Sequence, residues 1–389
     1  MNPVNNPFTP GAGTPPPELA GRETVLQDAE NAIRRTLNNK IAKSQIMLGL
    51  RGVGKTVLLN KIYQIAEDLG VYAAIFEASS SQTLPEIMTQ PLYRLLLKVD
   101  RNRKTGNDIK RVFGLLGQFA RLFKVKIGEF EVGIDPEILT GDLALDLGDL
   151  FVSIGEAAKS RNTAVIILID EVQYLEVEDL EALILAMHRI SQSQLPLLLF
   201  GAGLPQLARL AGEAKSYAER LFDYITIDKL DYKSARLAIE RPLISEKVKF
   251  EPEAIVKIID ETEGYPYFIQ LWGSKVWDIA KASPITVRDV IRATEKSIET
   301  LDSGFFKIRY ERLTERQQEY ARAIAMAGKL AVSSSEVADI MGITVRQAAP
   351  IRDEIIKKGM AYSPGRGLIS FSVPKFDEYL RRNFVPDRS

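Results

Sequence analysis

Cysteine is absent from this 389-residue sequence. Its absence excludes disulfide bonds, thiolate metal sites and cysteine nucleophiles, and it is compatible with a reducing compartment. The single histidine, His188, leaves no histidine-rich metal site. We expect His188 to be a packed structural residue, the alternative being a contact to a neighbouring subunit.

An excess of one charge sign and long apolar runs are also lacking. Lys+Arg and Asp+Glu each number 51, so the formal net charge is zero and gives no indication for or against a nucleic-acid partner. The longest apolar runs, residues 164–169 and 195–200, have the length of strands and are too short to span a membrane. The N-terminal segment does not resemble a signal peptide. We therefore expect a cytoplasmic protein without a membrane span.

The chain does contain a regular alternation of strand and helix patterns, which predicts a parallel sheet with helices on both faces. After this α/β core the pattern becomes helical, and it ends in three short helices and a pair of strands. We predict an extended N-terminal arm rather than a packed element at 1–22. The other predicted boundaries are a core at 23–229, a helical module at 230–305 and a C-terminal module at 306–389.

An insertion at about 100–142 interrupts the core pattern. It contains the most basic stretch of the chain, 101–126, followed by a predicted hairpin at 124–135. The basic stretch has apolar residues at helical spacing, which is compatible with a nucleic-acid or partner contact or with a membrane-surface helix. The remaining alternative is a helix packed on the core with solvated charges.

Residues 49–56, GLRGVGKT, fit the phosphate-loop pattern G-x-x-x-x-G-K-[ST] at every position. A predicted strand precedes the loop and a predicted helix follows it, which is the context this motif requires. Lys55 would place its charge at the β- and γ-phosphates, and the Thr56 hydroxyl would be a ligand of Mg²⁺. A glycine-rich turn without a ligand is the disfavoured alternative. The predicted nucleotide contacts are Gly49, Arg51, Gly52, Val53, Gly54, Lys55, Thr56 and Val57.

A second motif is the apolar run VIILIDE at 165–171, which predicts a strand buried on both faces. It ends in two adjacent carboxylates at the carboxyl edge of the predicted sheet, where ligands bind in such folds. Asp170 would organise Mg²⁺ and its water, and Glu171 would orient or deprotonate the attacking water. The alternative is that both begin a solvated loop.

With these motifs in this order, the sequence resembles the AAA+ ATPases, closest to the branch that contains the origin-recognition and initiator ATPases and the STAND signalling ATPases. The resemblance covers nearly the whole chain and implies ATP and Mg²⁺ as cofactors. The implied fold is an α/β P-loop NTPase core with a helical lid at 230–305 and a winged-helix domain at 306–389. The matching segments are PELAGRE at 17–23, GLRGVGKT at 49–56, LIDEVQYL at 168–175, LFGAGLPQL at 199–207, SYAERLF at 216–222 and EGYPYFIQLWG at 263–273.

The resemblance also implies roles for residues outside the two motifs. Arg220 matches the position of an arginine finger, which would act on the nucleotide of a neighbouring subunit and require self-association in the ATP state. An ordinary surface residue is the equal alternative for Arg220. Pro266 matches a lid motif that approaches the nucleotide. The segment that packs beside the adenine corresponds to Leu19, Ala20, Gly21 and Arg22.

Two positions depart from the family pattern. Tyr267 stands where initiator ATPases commonly have a sensor arginine, and Gly201-Ala202-Gly203 stand where a polar sensor is usual. Gln206 is a candidate substitute for the missing polar sensor at 201–203. We therefore expect slow, regulated hydrolysis, as in a switch rather than a motor.

The C-terminal module has helix-turn-helix spacing followed by a wing at 363–367. Arg346, Gln347 and Arg352, expected on the exposed side of the second helix, and Arg366, at the wing tip, would suit DNA. Because winged helices also dock proteins, two functions stay open. The first is an ATP-hydrolysing AAA+ switch that acts on DNA, and the alternative is a STAND-like signalling ATPase whose tail binds a protein. A metabolic kinase is disfavoured by the lid and the tail.

Overall fold

The computed structural model of the chain describes residues 1–11, 13–102, 107–125 and 139–385. They form two compact units. The first unit comprises Met1–Glu23, Leu50–Gly54 and Ile227–Ser389, and the second comprises Thr24–Gly49 and Lys55–Thr226. In the described part of the chain, no helix is both long enough and apolar enough to cross a membrane.

The second unit is built on a parallel five-stranded sheet in the order β2-β3-β4-β1-β5. Every residue of β1, β3 and β4 is buried, because helices cover both faces of the sheet. Parallel strands place their carboxyl ends at one edge, which is where β3 ends at Asp170. The strands are β1 (Ser44–Leu48), β2 (Tyr72–Glu77), β3 (Val165–Asp170), β4 (Leu197–Gly203) and β5 (Phe222–Thr226).

Helices alternate with these strands as the sequence pattern predicts. The helix in the basic stretch is amphipathic, and its apolar side, including Ile109, Val112 and Phe119, is buried in the core of the second unit. The predicted hairpin at 124–135 lies outside the described residues apart from 124 and 125. The helices are α1 (Glu23–Leu37), α2 (Lys55–Asp68), α3 (Leu84–Asn102), α4 (Asn107–Leu122), α5 (Leu143–Ser160), α6 (Val177–Gln192), α7 (Leu207–Ala214) and α8 (Ala218–Leu221).

The first unit is mainly helical. A π-helical turn, Leu301–Phe306, joins its two helical groups. The helices before this turn are α9 (Tyr232–Glu240), α10 (Pro252–Thr262), α11 (Pro266–Ile279) and α12 (Val287–Thr300). The elements after it are α13 (Lys307–Glu311), α14 (Glu315–Met326), β6 (Val332–Ser333), α15 (Ser334–Met341), α16 (Val345–Lys357), β7 (Ala361–Tyr362), β8 (Leu368–Phe371) and α17 (Phe376–Phe384).

The last part of the first unit contains a small antiparallel sheet in the order β6-β8-β7. The predicted pair of strands around Gly365 is present as β7 and β8, and β6 is an additional strand of only two residues. Gly342 ends α15 in a left-handed conformation with φ of 66°, and Thr344 starts α16 with a capping box.

The N-terminal arm is packed, which corrects the prediction of an unpacked segment. Phe8 is 4% exposed in the core of the first unit. A Cβ built on Gly273 of α11 would lie 2.5 Å from the Phe8 ring, so this glycine makes room for it. The Trp277 indole donates to the carbonyl of Asn2 at 2.8 Å, and Asn6 donates to the Asp278 carboxylate at 3.0 Å. The arm therefore lies along α11.

Candidate functional site

Within the second unit, the two predicted metal ligands lie together at the carboxyl edge of the sheet. The Thr56 hydroxyl, in the first turn of α2, donates to Oδ2 of Asp170 at 2.5 Å. The other oxygen of Asp170, Oδ1, accepts from the main-chain N–H of Glu171 at 2.8 Å. Hydroxyl and carboxylate oxygens are the ligands that Mg²⁺ prefers, and proteins commonly hold Mg²⁺ by few side chains together with substrate phosphates. This pair of oxygens therefore fits Mg²⁺.

Asp170 is only 7% exposed. Burial raises the pKa of Asp170 above its ordinary value, and the neighbouring charge of Glu171 acts in the same direction. The hydrogen bond from Thr56 and the charge of Lys55 oppose this shift. A carboxylate that burial destabilises gains from a cation placed against it, because the cation favours the charged form.

Lys55, also in the second unit, is almost fully buried at 6% exposed. Its ammonium donates to the carbonyl of Gly49 at 2.9 Å. This contact orients the lysine back over the start of the loop. A buried cation at this position would supply a fixed positive charge to phosphate groups, and this role of Lys55 stays a prediction.

Glu171 is held by Gln173, a residue to which neither sequence motif assigns a role. Gln173 donates through Nε2 to Oε2 of Glu171, and its Oε1 accepts the main-chain N–H of Leu204 at 3.0 Å. Glu171 itself adopts a left-handed conformation with φ of 53° and ψ of 37°. Backbone strain of this kind in a non-glycine residue is typical of functional sites. The side chain of Gln173 therefore ties Glu171 to the end of β4.

The glycines at the end of β4 have a steric explanation. A Cβ built on Gly201 would lie 2.7 Å from Cδ1 of Ile46, and one on Gly203 would lie 2.8 Å from Oε1 of Gln173. A side chain does not fit at either position without rearrangement. The polar group at this end of β4 comes from Gln173 in the segment between β3 and α6, while Gln206, the predicted substitute, is buried at 8% exposed.

Within the first unit, the turn Leu50–Gly54 is contacted from three directions. The N–H of Tyr267, in the first turn of α11 after Pro266, donates to the carbonyl of Gly52 at 3.2 Å. The N–H of Arg51 donates to the carbonyl of Ser372 at 3.1 Å. The guanidinium of Arg22 donates to the carbonyl of Val53 at 3.2 Å. The main-chain groups of the turn are therefore fixed by the unit to which it belongs.

Gly54 has the features of a ligand-facing position. Its φ is 95°, and a Cβ built on it would have no heavy atom within 4 Å. The backbone there is accessible to a phosphate group, and the conformation leaves its amide unobstructed by a side chain. These properties, in the first unit, fit the phosphate-binding role that the motif predicts.

The predicted adenine segment also belongs to the first unit. Ala20 is 3% exposed and Leu19 is half-buried, whereas Gly21 has a φ of 68° and packs against Ser234. The structure places Val57 on α2 of the second unit, half-buried. The roles of these residues toward a nucleotide stay predictions.

Arg220 lies on the exposed surface of the second unit, in the short helix α8. It lines an open groove of about 630 Å³ at the amino ends of β1 and β4, together with His188, Tyr217, Lys40 and Lys159. The side chain of Arg220 has no hydrogen bond or ion pair within the described residues. His188 is stacked on Tyr217 with ring centroids 4.4 Å apart, which agrees with the packed role expected for it.

The four predicted DNA-contacting residues differ in exposure. Arg346 and Arg366 are exposed. Gln347 is also exposed, although its side-chain Oε1 accepts the main-chain N–H of Thr344 in the cap of α16. Arg352 corrects the prediction, because its guanidinium donates to Ser363 at 3.0 Å and to the carbonyl of Leu368 at 3.1 Å. Its side chain is only 18% exposed. Arg352 therefore stabilises the loop between β7 and β8 instead of facing solvent.

Two family models match parts of the chain. Residues 18–200 match the model of the AAA ATPase domain, and residues 303–380 match a domain of unknown function (DUF8462). No curated protein matches the chain significantly.

Several solved structures are similar to the chain over almost its full length. The Walker-type ATPase PABY2304 of Pyrococcus abyssi has 15% identity and a TM-score of 0.58, with 93% of this chain and 96% of that chain covered. ORC1 of Aeropyrum pernix in complex with DNA has 14% identity and a TM-score of 0.47, with 95% of this chain and 94% of that chain covered. The RuvB Holliday junction branch migration motor of Thermotoga maritima has 17% identity and a TM-score of 0.45, covering 93% and 95%.

The fold is therefore that of a P-loop NTPase of the AAA+ type. The parallel five-stranded sheet and the AAA ATPase domain at 18–200 confirm this prediction. The match with the Pyrococcus structure, at low identity, supports the fold alone.

Proposed function

We propose that the chain binds ATP with Mg²⁺ and hydrolyses it, acting as a nucleotide-dependent switch. The observation that carries this proposal is the cluster at the carboxyl edge of the sheet in the second unit. There the Thr56 hydroxyl and the Asp170 carboxylate meet at 2.5 Å, next to a Glu171 carboxylate held by Gln173. The match of residues 18–200 to the AAA ATPase domain supports the same activity.

The protein side chains divide the work of hydrolysis. Thr56 and Asp170 hold Mg²⁺, which when bound neutralises phosphate charge and orients the phosphates. The buried Lys55 ammonium attracts the phosphates. Glu171 accepts a hydrogen bond at Oε2, which leaves Oε1 to orient a water molecule and to take its proton. In such reactions positioning and electrostatic stabilisation supply most of the rate enhancement.

Glu171→Gln tests this assignment. We expect the variant to bind ATP as the wild type does and to lose about 100-fold or more in kcat, because an amide cannot accept the proton. Glu178→Gln is the matched control, since Glu178 is exposed on α6 and undergoes the same chemical change. Unchanged hydrolysis by Glu171→Gln, or no ATP binding by the wild type, would contradict the proposal.

We also propose that the C-terminal module at 306–389 is a winged helix that contacts duplex DNA. The order helix, strand, helix, helix and two strands, with a three-stranded antiparallel sheet, supports the first part. Exposed Arg346 at the start of α16 and exposed Arg366 between β7 and β8 support the second part. Basic side chains at these two places can reach the phosphates on either side of a groove.

Fluorescence anisotropy with labelled duplex DNA over a range of salt concentrations tests DNA binding. Arg346→Glu and Arg366→Glu should each weaken binding and lower the slope of log K against log salt by about one. Arg316→Glu is the control, because Arg316 is 69% exposed elsewhere in the same module, on α14. Unaltered binding in both test variants would favour the alternative function, in which the module docks a protein.

A further inference from the structure

Arg22 is a buried cation in the first unit with an unusual set of partners. It is 9% exposed, and its Nη2 donates to the carbonyl of Val53 at 3.2 Å and to the carbonyl of Asp228. Both acceptors are main-chain oxygens. A guanidinium has five N–H donors in a fixed plane, so it can hold two carbonyl groups in a defined relative position.

The contact with Val53 determines the direction of a neighbouring N–H. In a trans peptide the C=O of one residue and the N–H of the next point in opposite directions. A Val53 carbonyl directed at Arg22 therefore directs the N–H of Gly54 away from Arg22. Gly54 is the second invariant glycine of the phosphate motif, and its amide is one of those that cradle the phosphates.

The charge of Arg22 is also left uncompensated by direct contacts. Among the described residues, no carboxylate lies within ion-pair distance of its guanidinium. Burial lowers the pKa of Arg22 from its ordinary value, although the more distant charges of Asp228, Glu23 and Asp231 oppose this shift. Burying a cation without a paired anion is costly, so an anion near the turn Leu50–Gly54 would be stabilised by this charge.

We propose that Arg22 is a positioning residue of the phosphate loop, which fixes the Val53–Gly54 peptide so that the Gly54 N–H faces the phosphates of the nucleotide. This role differs from the one that the family resemblance implies, in which residues 19–22 pack beside the adenine. It rests on the proposed binding of ATP. The two roles predict different losses of nucleotide affinity when Arg22 is replaced, because one role concerns the phosphates and the other concerns the base.

The test measures the affinities of wild type, Arg22→Gln and Arg22→Lys for ATP, ADP, AMP and GTP by isothermal titration calorimetry, with AMP also used as a competitor. We expect Arg22→Gln to lower the affinities for ATP and ADP by about tenfold or more, which corresponds to the loss of one charge-assisted hydrogen bond. AMP affinity and the ratio of ATP to GTP affinity should stay as in the wild type. Arg22→Lys should recover part of the loss, because an ammonium keeps the charge but cannot bridge two carbonyls as a planar fork does.

The control is Arg236→Ala, which removes an exposed arginine that forms an ion pair with Glu240 on α9. If Arg22 had a merely structural role, Arg22→Gln would lower the melting temperature and would lower the affinities for all four nucleotides equally. An equal loss for AMP and ADP, or a lost preference for ATP over GTP, would overturn the proposal. If Arg22→Gln does not fold, the same comparison with Arg22→Lys decides, and a wild type that binds no nucleotide would refute the proposed function itself.

Discussion

Two different replacements of Gln173 should distinguish its contribution to the stability of the protein at the end of β4 from its contribution to the catalytic activity of Glu171. The two ends of the Gln173 amide have different partners: Nε2 donates to Glu171, and Oε1 accepts the N–H of Leu204. Gln173→Glu keeps an acceptor for Leu204 but places a second carboxylate against Glu171. Gln173→Ala removes both contacts.

The magnitudes follow from these contacts. Leaving the partly buried N–H of Leu204 without an acceptor costs about 1–2 kcal/mol of unfolding free energy. In a unit of this size, that loss lowers the melting temperature by about 2–8 °C. Loss of a residue that orients a functional carboxylate typically costs about 10- to 100-fold in activity, by analogy with metal-site partners. Gln173→Ala should show both effects, whereas Gln173→Glu should lose kcat and retain most of the stability.

Steady-state ATP hydrolysis with saturating Mg²⁺ and thermal unfolding measured on the same preparations provide the two readouts. KM should change little, because neither contact of Gln173 involves the phosphates. A Gln173→Glu variant that hydrolyses ATP at the wild-type rate would refute the role of Gln173 in positioning Glu171. A large rise in kcat in Gln173→Ala would mean that Gln173 restrains Glu171 instead of positioning it.

Three further predictions concern other parts of the chain. Because the pKa of Asp170 is raised by burial, the folded protein binds this proton more tightly than the unfolded chain, and ligand-free stability falls as pH rises through the folded-state pKa. Asp170→Asn should therefore raise the melting temperature at neutral pH, with no gain below the ordinary pKa of aspartate, and it should abolish Mg²⁺-dependent ATP hydrolysis; a lower melting temperature at neutral pH would contradict this. If Arg220 acts on a neighbouring subunit, Arg220→Ala should lower kcat by about 1,000-fold or more, the scale of an arginine finger, and mixing it with Lys55→Ala should restore part of the activity. A chain whose mass stays that of a monomer with ATP would exclude this role. Arg352→Ala should destabilise the first unit by about 1–3 kcal/mol in chemical denaturation, whereas Arg346→Ala should have almost no effect on stability.

The α/β core was predictable because its signals are local. The run at 165–171 is apolar at every position before Asp170, and its residues 165–170 form β3, all of them buried. The loop motif at 49–56 has the strand and the helix on either side that its pattern requires. The phosphate and metal positions could therefore be named from spacing alone, and their contacts with a nucleotide stay predictions.

Other contacts depend on residues distant in sequence and gave no signal. Phe8 is one apolar residue in a segment rich in proline and asparagine, so no periodicity revealed that it packs against Gly273, 265 positions later. Arg352 has the spacing of an exposed helix position, but the loop between β7 and β8 folds back over it and offers two acceptors. Hydrogen bonds between distant segments override the helical pattern in such cases.

A usable signal was present for Gln173. Glycines at positions 201 and 203, in a strand that is otherwise apolar, indicate the close approach of another group. The two glycines therefore indicate that another side chain lies close to the end of β4. Compared with the family pattern alone, Gly201-Ala202-Gly203 indicates a missing sensor instead.

The absence of an arginine after Pro266 does not remove the contact between α11 and the turn Leu50–Gly54. Tyr267 contacts the turn Leu50–Gly54 through its main-chain N–H. Gly52 has a φ of 83°, and a Cβ built on it would lie 3.3 Å from the Cβ of Tyr267. Every residue except proline has this N–H, so no pattern of side chains can reveal the contact. Gly52 is also not one of the glycines that the phosphate motif fixes. Both glycines therefore have a left-handed backbone, but a Cβ would meet open space at Gly54, whereas at Gly52 the close packing of α11 is an additional requirement.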